Sequence, residues 1–301
     1  MNVRMKLPAF ISAGGNGKAR FRRARLVFSL AAASILLFAF LVSFIMFFPE
    51  QPLRECLERT AWQQSGGKVT IDSLSLAPPL GLRLTKIGWQ PIDPKWPPIT
   101  IDSARISPLW TTLLKGDPGV AVQAALSSGT LKSRMTKDGS FEATLAGIVL
   151  RPLLPRGFAY LPEGTIEGSI QGTQMLLPEK RHATFDLTIN RFGVGGLKSL
   201  GVSNDRLSLG QVNIRGELRG KTLDIKELHN IDGDLGVDGK ATLLLGGTPH
   251  LCRITANIGI TPGPHLDPTL RGLLPLSGVK PDKQGTYRFR IGGSLDHPVL
   301  R

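Results

Sequence analysis

At 301 residues with a hydrophobic fraction of 41%, the chain is long enough for one large domain or two ordinary ones and apolar enough to bury a core, which excludes a disordered protein. Its 35 glycines and 22 prolines, against 6% aromatics, favour short turns and strands of small and aliphatic residues over a helical protein. The net charge of +14 suggests nucleic acid, but half of it sits in residues 1–25.

That tail carries Arg4, Lys6, Lys18, Arg20, Arg22, Arg23 and Arg25 and no acid, which leaves 30 basic against 23 acidic residues, or +7, for everything after it. No zinc-finger spacing, aromatic RNA-binding motif or isolated basic helix accompanies the charge, so no nucleic-acid partner is expected. The scattered remainder reads as solubility or as weak attraction to anionic lipid head groups.

Leu26 to Phe48, LVFSLAAASILLFAFLVSFIMFF, runs 23 residues without a charge. As a helix it is about 35 Å long, enough for a bilayer core of about 30 Å. A cleaved signal peptide has a shorter apolar region closed by small residues, whereas this one ends in Phe47-Phe48-Pro49-Glu50, so a retained membrane span is expected. The basic residues ahead of it, Arg20, Arg22, Arg23 and Arg25 nearest, predict a cytoplasmic N-terminus and place Pro49 onward on the far side.

QPLRECLERTAWQQSGG, residues 51–67, then predicts a short amphipathic helix, with Leu53, Leu57 and Trp62 near one face and Gly66-Gly67 as its end. Trp62 either meets the lipid interface or packs on the first strands. From Lys68 the period changes to two. Val69 and Ile71 alternate with Lys68, Thr70 and Asp72, GLRLTKIGW continues with Leu82 and Leu84, and prolines 91, 94, 97 and 98 mark a loop before ITIDSARISP resumes the sheet. Further strands follow in GVAVQAALSSGTLKSRMTKDGSFEATLAGIVL, GTIEGSIQGTQML, HATFDLTINRF, RLSLGQVNIRGELRG, LCRITANIGIT and TYRFRIGGSL, separated by glycine, Asp-Gly and proline turns as in an antiparallel meander. Short helical turns are predicted at Trp110 to Gly116 and at Asp267 to Leu276, the latter with Asp267 as cap and Pro268 in first position. The expected organisation is a basic tail (1–25), a span (26–48), a juxtamembrane helix and linker (49–67) and one β domain (68–301).

Within Gly216 to Gly246 the alternation is clearest: Leu223, Ile225, Leu235, Val237, Ala241 and Leu243 form a proposed inward apolar face, against Asp224, Lys226, Asp234, Asp238, Lys240 and Thr242. The same apolar face suits a sandwich core closed by the other half of the meander, or a surface held open for a ligand.

Residues arranged for catalysis are missing. No Gly-x-Ser-x-Gly turn occurs, and Ser127-Ser128-Gly129 and Ser203 read as turn serines. His182, His229, His250, His265 and His297 are dispersed, and the pair His250-x-Cys252 supplies two ligands where a metal asks for three or four. Gly193-Val194-Gly195-Gly196 lacks the Lys-Ser or Lys-Thr of a phosphate loop and reads as a β-turn; Asp232 and Asp234 around Gly233 read as Asx-turn residues. No catalytic residue, cofactor or metal is expected. Cys56 and Cys252 lie far apart, and whether they pair is open at this level.

The order of basic tail, span, FPEQPLRECL and GGKVTIDSLSLAPPLGLRLTKIGW resembles the type II secretion system protein N family of bacteria, bitopic proteins akin to the AsmA-like envelope proteins. The likeness rests on Phe48-Pro49 leading to a short helix at Leu53 to Leu57, on Pro79, Gly81 and Leu82, and on the closing run Tyr287, Phe289, Ile291, Gly292, Leu295 and Pro298. The chain departs from it at Gln51-Pro52, with Glu50 ahead, where the family has an acid soon after Phe-Pro. The resemblance implies a mainly β fold, an extended curved antiparallel sheet with a few short helices after one transmembrane helix. It further implies a non-enzymatic component of the bacterial inner membrane with a periplasmic domain, meeting other secretion subunits by polar-face contacts or by strand addition at an edge near Ile99 to Ile106. The AsmA kinship implies an alternative, the sheltering of acyl chains in an apolar groove.

Overall fold

The computed structural model describes residues 49–301 except 66, 78–79, 93–96, 114, 127, 155–159, 203–204, 247–250, 295–296 and 301, together with positions 34–36, 39–40 and 43. The chain divides into two compact units, Met1–Pro49 and Glu50–Arg301. In the first, positions 34–36, 39–40 and 43 are helical, and Ile35, Leu36 and Phe40 are strongly exposed. No helix among the described residues is long and apolar enough to cross a membrane. The expected span Leu26 to Phe48 lies for the most part outside those residues, as do the basic positions Arg20, Arg22, Arg23 and Arg25.

The second unit is mainly β, one open sheet of fourteen antiparallel strands whose spatial order is their order in the chain. The strands are β1 Gly67–Ala77, β2 Gly81–Pro91, β3 Ile99–Pro108, β4 Gly119–Leu126, β5 Gly129–Thr136, β6 Phe141–Val149 and β7 Leu161–Thr173. They continue with β8 His182–Gly195, β9 Arg206–Arg219, β10 Thr222–Ile231, β11 Leu235–Leu244, β12 Arg253–Pro262, β13 Tyr287–Ser294 and β14 Pro298–Leu300. Consecutive strands are antiparallel neighbours throughout, some joined by tight turns and others by longer connections that carry a helix. Between β5 and β6, for example, Asp138 accepts the backbone N–H of Ser140 at 3.0 Å, and Gly139 takes a left-handed φ of +85°.

Among the described residues of this unit three α-helices accompany the strands, α1 Glu50–Ser65, α2 Trp110–Leu113 and α3 Pro268–Leu276, besides 3-10 turns at Arg151–Leu153 and Leu197–Leu200. The α3 cap is Asp267, whose carboxylate accepts the Thr269 N–H at 2.8 Å, one of the donors that a first turn leaves unpaired. Helix α1 lies along the outer edge of β1. Glu58 accepts the backbone N–H of Ile71 at 2.7 Å, and Arg54 donates to the carbonyl of Asp72 at 3.1 Å, so polar groups that an edge strand exposes are satisfied from the helix.

Two expectations are corrected. Strand β3, which contains Ile99 to Ile106, is paired with β2 on one side and β4 on the other, so it is interior and offers no edge. The sandwich reading fails as well, because all the strands belong to one sheet and are neighbours only in sequence order. Hairpins between consecutive strands need only local closure, whereas a sandwich asks the two halves to meet over a long loop in sequence.

Candidate functional site

Residues directly opposite in an antiparallel pair carry their side chains on the same face, so the register can be followed from strand to strand. One row runs from Leu74 through Leu84, Ala104, Ala124, Leu131 and Leu145 to Gly168. It goes on through Leu187, Ile214, Leu228, Gly239 and Ile258 to Phe289. Thirteen strands contribute, and each gives an apolar side chain or a glycine. A second row begins at Leu76 and Leu82, passes Ile106, Val122, Ser133, Ala143, Ile170, Phe185 and Gly216, and ends at Ile225, Ala241, Ala256, Ile291 and Leu300. Its single polar member is Ser133.

The six positions singled out from the sequence lie on this face. Leu223 pairs with Leu243 and Ile225 with Ala241, while Leu235 and Val237 oppose Pro262 and Ile260. All six are half-buried, and Asp238, Lys240 and Thr242 between them are exposed.

Bulges keep the two faces apart. In β6 the register shifts between Leu145 and Ile148 around Gly147, whose φ is +65°, and the extra residue returns Ile148 to the apolar side opposite Ile166. In β10 a shift between Ile225 and Leu228 does the same for Leu228. A strict period of two would have turned both side chains to the polar face. Asn230, a polar residue on the apolar side, is satisfied by backbone: its Nδ2 donates to the carbonyls of Leu209 at 2.8 Å and Leu235 at 2.6 Å, and its Oδ1 accepts from Val237. Nothing in its sequence neighbourhood marks that role.

Among the described residues every strand of this unit belongs to one sheet, so no second sheet lies over the apolar face. Its burial is uneven: Leu74 and Ile148 are 2%, Leu84 4% and Phe289 9% exposed, whereas Leu223, Val237 and Leu243 are half-buried. Thirteen inter-strand spacings of about 4.8 Å give a width of roughly 60 Å, and the two side-chain rows, each about 7 Å wide, make a footprint on the order of 800 Å². The largest apolar patch on an ordinary monomer is about 300–600 Å². An apolar face of this size is the candidate site.

The opposite face is polar and internally paired. Arg215 bridges Asp186 at 2.9 Å and Glu227 at 3.6 Å across β8, β9 and β10. Glu217, only 8% exposed, accepts from Lys226 at 2.8 Å and Arg219 at 2.9 Å, with His182 at 3.9 Å. The hydrogen bond from Lys226, then that from Arg219, holds its carboxyl below the usual glutamate range against a burial that pushes it up. Asp234 accepts the Ser208 N–H at 2.8 Å and thus ties β11 to β9 instead of closing an Asx-turn, while Asp232 has the left-handed φ of +60°. Gly193 to Gly195 belong to β8, and only Gly196, with φ +84°, makes the expected turn.

Among the described residues no three His, Cys, Asp or Glu side chains converge as a metal site. His182 and His229 serve the polar face, the latter contacting Asn213 at 3.3 Å and Glu227 at 3.5 Å; His250 lies outside the described residues. Both cysteines are free: Cys56 is exposed on α1, and Cys252 is buried, its Sγ accepting the N–H of Gly246 at 3.2 Å.

A smaller cleft of about 730 Å³ lies between α1 and the start of the sheet, where Trp62 is 59% and Ile92 76% exposed. It is lined by Glu55 and Glu58 as well as Arg59 and Lys68, so it favours neither sign of charge. No family model matches the chain, and no curated protein or solved structure is significantly similar to it.

Proposed function

We propose that the chain is a non-enzymatic protein of the bacterial envelope, anchored in the inner membrane by Leu26 to Phe48, whose periplasmic sheet shelters lipid acyl chains on its apolar face. The observation that carries this reading is the apolar row that crosses thirteen strands of one open sheet, with no second sheet over it among the described residues. Water against such a surface costs about 25 cal/mol per Å², and an acyl chain removes that cost without asking for hydrogen bonds the face cannot make. The two rows of the face offer no titratable group for catalysis, and Asp186, Arg215, Glu217, Arg219 and Lys226 are paired with one another on the other face.

The test is a photo-crosslinking residue placed at Leu187, Val237 or Leu243 in intact cells, with Lys240 as the polar-face control. Lipid adducts from the first three and not from Lys240 support the reading. Crosslinks within the chain or to a second copy, with lipid absent, overturn it.

A second reading, a component of the type II protein secretion machinery acting in assembly or partner binding, is favoured by the resemblance of the juxtamembrane and closing segments and by one structural feature. While α1 covers the edge at β1, the edge at β14 has no covering element among the described residues. The two readings are compatible, one using the apolar face and the other an edge.

A further inference from the structure

The polar face is not uniform along the sheet. From β8 to β10 its charges neutralise one another, Arg215 with Asp186 and Glu227, and Glu217 with Lys226 and Arg219. Nearer the start of the sheet they do not. The register sets Ser75, Arg83, Arg105, Gln123, Lys132 and Thr144 in one row from β1 to β6, with three cations and no carboxylate. In the neighbouring row of Ser107, Ala121, Arg134 and Glu142, the last two offset each other. Arg83 and Lys132 are exposed, and neither forms an ion pair among the described residues.

The connections from β1 to β2 and from β3 to β4 leave the sheet at one and the same end, and both carry apolar side chains into solvent. Leu80 is 49%, Trp110 39% and Leu113 45% exposed. The turn between β5 and β6 is tied to the same place, for the Lys137 N–H donates to the carbonyl of Pro118 at 2.9 Å. Lys115 and Lys137 in these connections are matched in number by Asp117 and Asp138, so the excess of positive charge belongs to the row on the strands.

Apolar tips and cations are therefore layered, not mixed. Arg83 stands three residues behind Leu80, about 10 Å along an extended strand. A protein interface puts its apolar residues at the centre and its charges around the rim. A bilayer surface asks for this other order, apolar and aromatic groups deepest and cations behind them at the level of the phosphates.

We propose that this corner of the sheet rests on an anionic phospholipid surface. Leu80, Trp110 and Leu113 enter the boundary between head groups and acyl chains, and Arg83, Arg105 and Lys132 reach the phosphates on their long apolar stems. The contact uses the turns and the polar face, so it holds whether or not acyl chains occupy the apolar face. An acidic protein partner satisfies the cations but leaves the three apolar tips in water.

The experiment is amide hydrogen exchange on the full chain in nanodiscs, one set of phosphatidylcholine alone and one of equal parts phosphatidylcholine and phosphatidylglycerol. The expected result is exchange slowed by about fivefold at 110–113 and 137–139 in the anionic discs relative to the neutral ones, with no difference at 222–231 in β10. Salt at about 0.5 M should remove the difference, because the cations are exposed to screening. The pair of changes Arg83→Glu and Lys132→Glu should remove it too, with unchanged exchange in β10 showing that the sheet remains folded. Trp110→Ser with Leu113→Ser should lower the protection at 137–139 in the anionic discs. Equal exchange in the two kinds of disc overturns the proposal, as does a difference that survives the salt or the charge reversal. A difference of the same size in β10 also overturns it, since the lipid then acts on the whole sheet and not on this corner.

Discussion

Leu223 and Leu243 stand directly opposite one another across β10 and β11. One residue further along, on the other face, the Thr242 hydroxyl donates to the Asp224 carboxylate at 2.8 Å. Two adjacent cross-strand pairs thus use unlike chemistry on the two faces of one sheet, and the same division recurs from β1 to β13. It has consequences for mutation, pH and topology.

The apolar face is half-buried, so charge placed on it is costly but less so than in a closed core. Val237→Asp is expected to cost about 1–2 kcal/mol in urea unfolding, because the carboxylate lands opposite Ile260 with no cation beside it. Asp238→Lys gives up only an exposed pair with Arg288 and should cost about 0.5 kcal/mol or less. Equal losses at the two positions would contradict the register.

Helix α1 is expected to protect the β1 edge. In Glu58→Ala the Ile71 N–H loses its acceptor, at a cost of about 1 kcal/mol, and its amide exchange should accelerate while that of the interior strand β3 does not change. An unaltered rate at Ile71 would show that the contact contributes nothing to holding the edge.

Acid should loosen the polar face. Glu217 titrates below its ordinary value of 4.5 in the folded chain because Lys226 and Arg219 favour its charged form. Its folded value lies below its unfolded one, so the stability it contributes is complete above about pH 5 and is lost as the pH falls through 4.5 and then through the lower folded value. Glu217→Gln should flatten that part of the pH–stability curve measured by thermal unfolding. A curve of unchanged slope between pH 5 and pH 3 would refute the assignment.

Topology follows from the basic tail. A reporter active only outside the cytoplasm, fused after Leu300, should be active, and replacing Arg20, Arg22, Arg23 and Arg25 with Asn should lower that activity as part of the population inverts. A fusion active only inside the cytoplasm would remove both proposed functions together, since each needs the sheet in the periplasm.

Much of the fold was legible in the residues. Period-two alternation located the strands around Val69 and Ile71, around Leu223 and Ile225 and around Tyr287 and Phe289, because the pleat itself alternates side chains between faces. Asp267 followed by proline announced the start of α3, since the capping chemistry is contained within three residues. The bulges at Gly147 and between Ile225 and Leu228 were not legible, because an extra residue in one strand has meaning only against the partner it slides past. The backbone duties of Asn230 and Asp234 were hidden for the same reason: Leu209 and Ser208 belong to another strand.

The sequence by itself determined that most of the chain after residue 67 forms strands with one apolar and one polar face, for alternation and turn chemistry act over a few neighbouring residues. Only the tertiary structure decided what those faces and edges meet. The same alternating leucines, isoleucines and valines satisfy a closed sandwich and an open sheet equally well, and it is the pairing of all fourteen strands in chain order that leaves the apolar face without a second sheet. Pairing likewise puts Ile99 to Ile106 in the interior and Val299 and Leu300 at the rim, because a strand is an edge through the neighbour it lacks and not through any residue it contains.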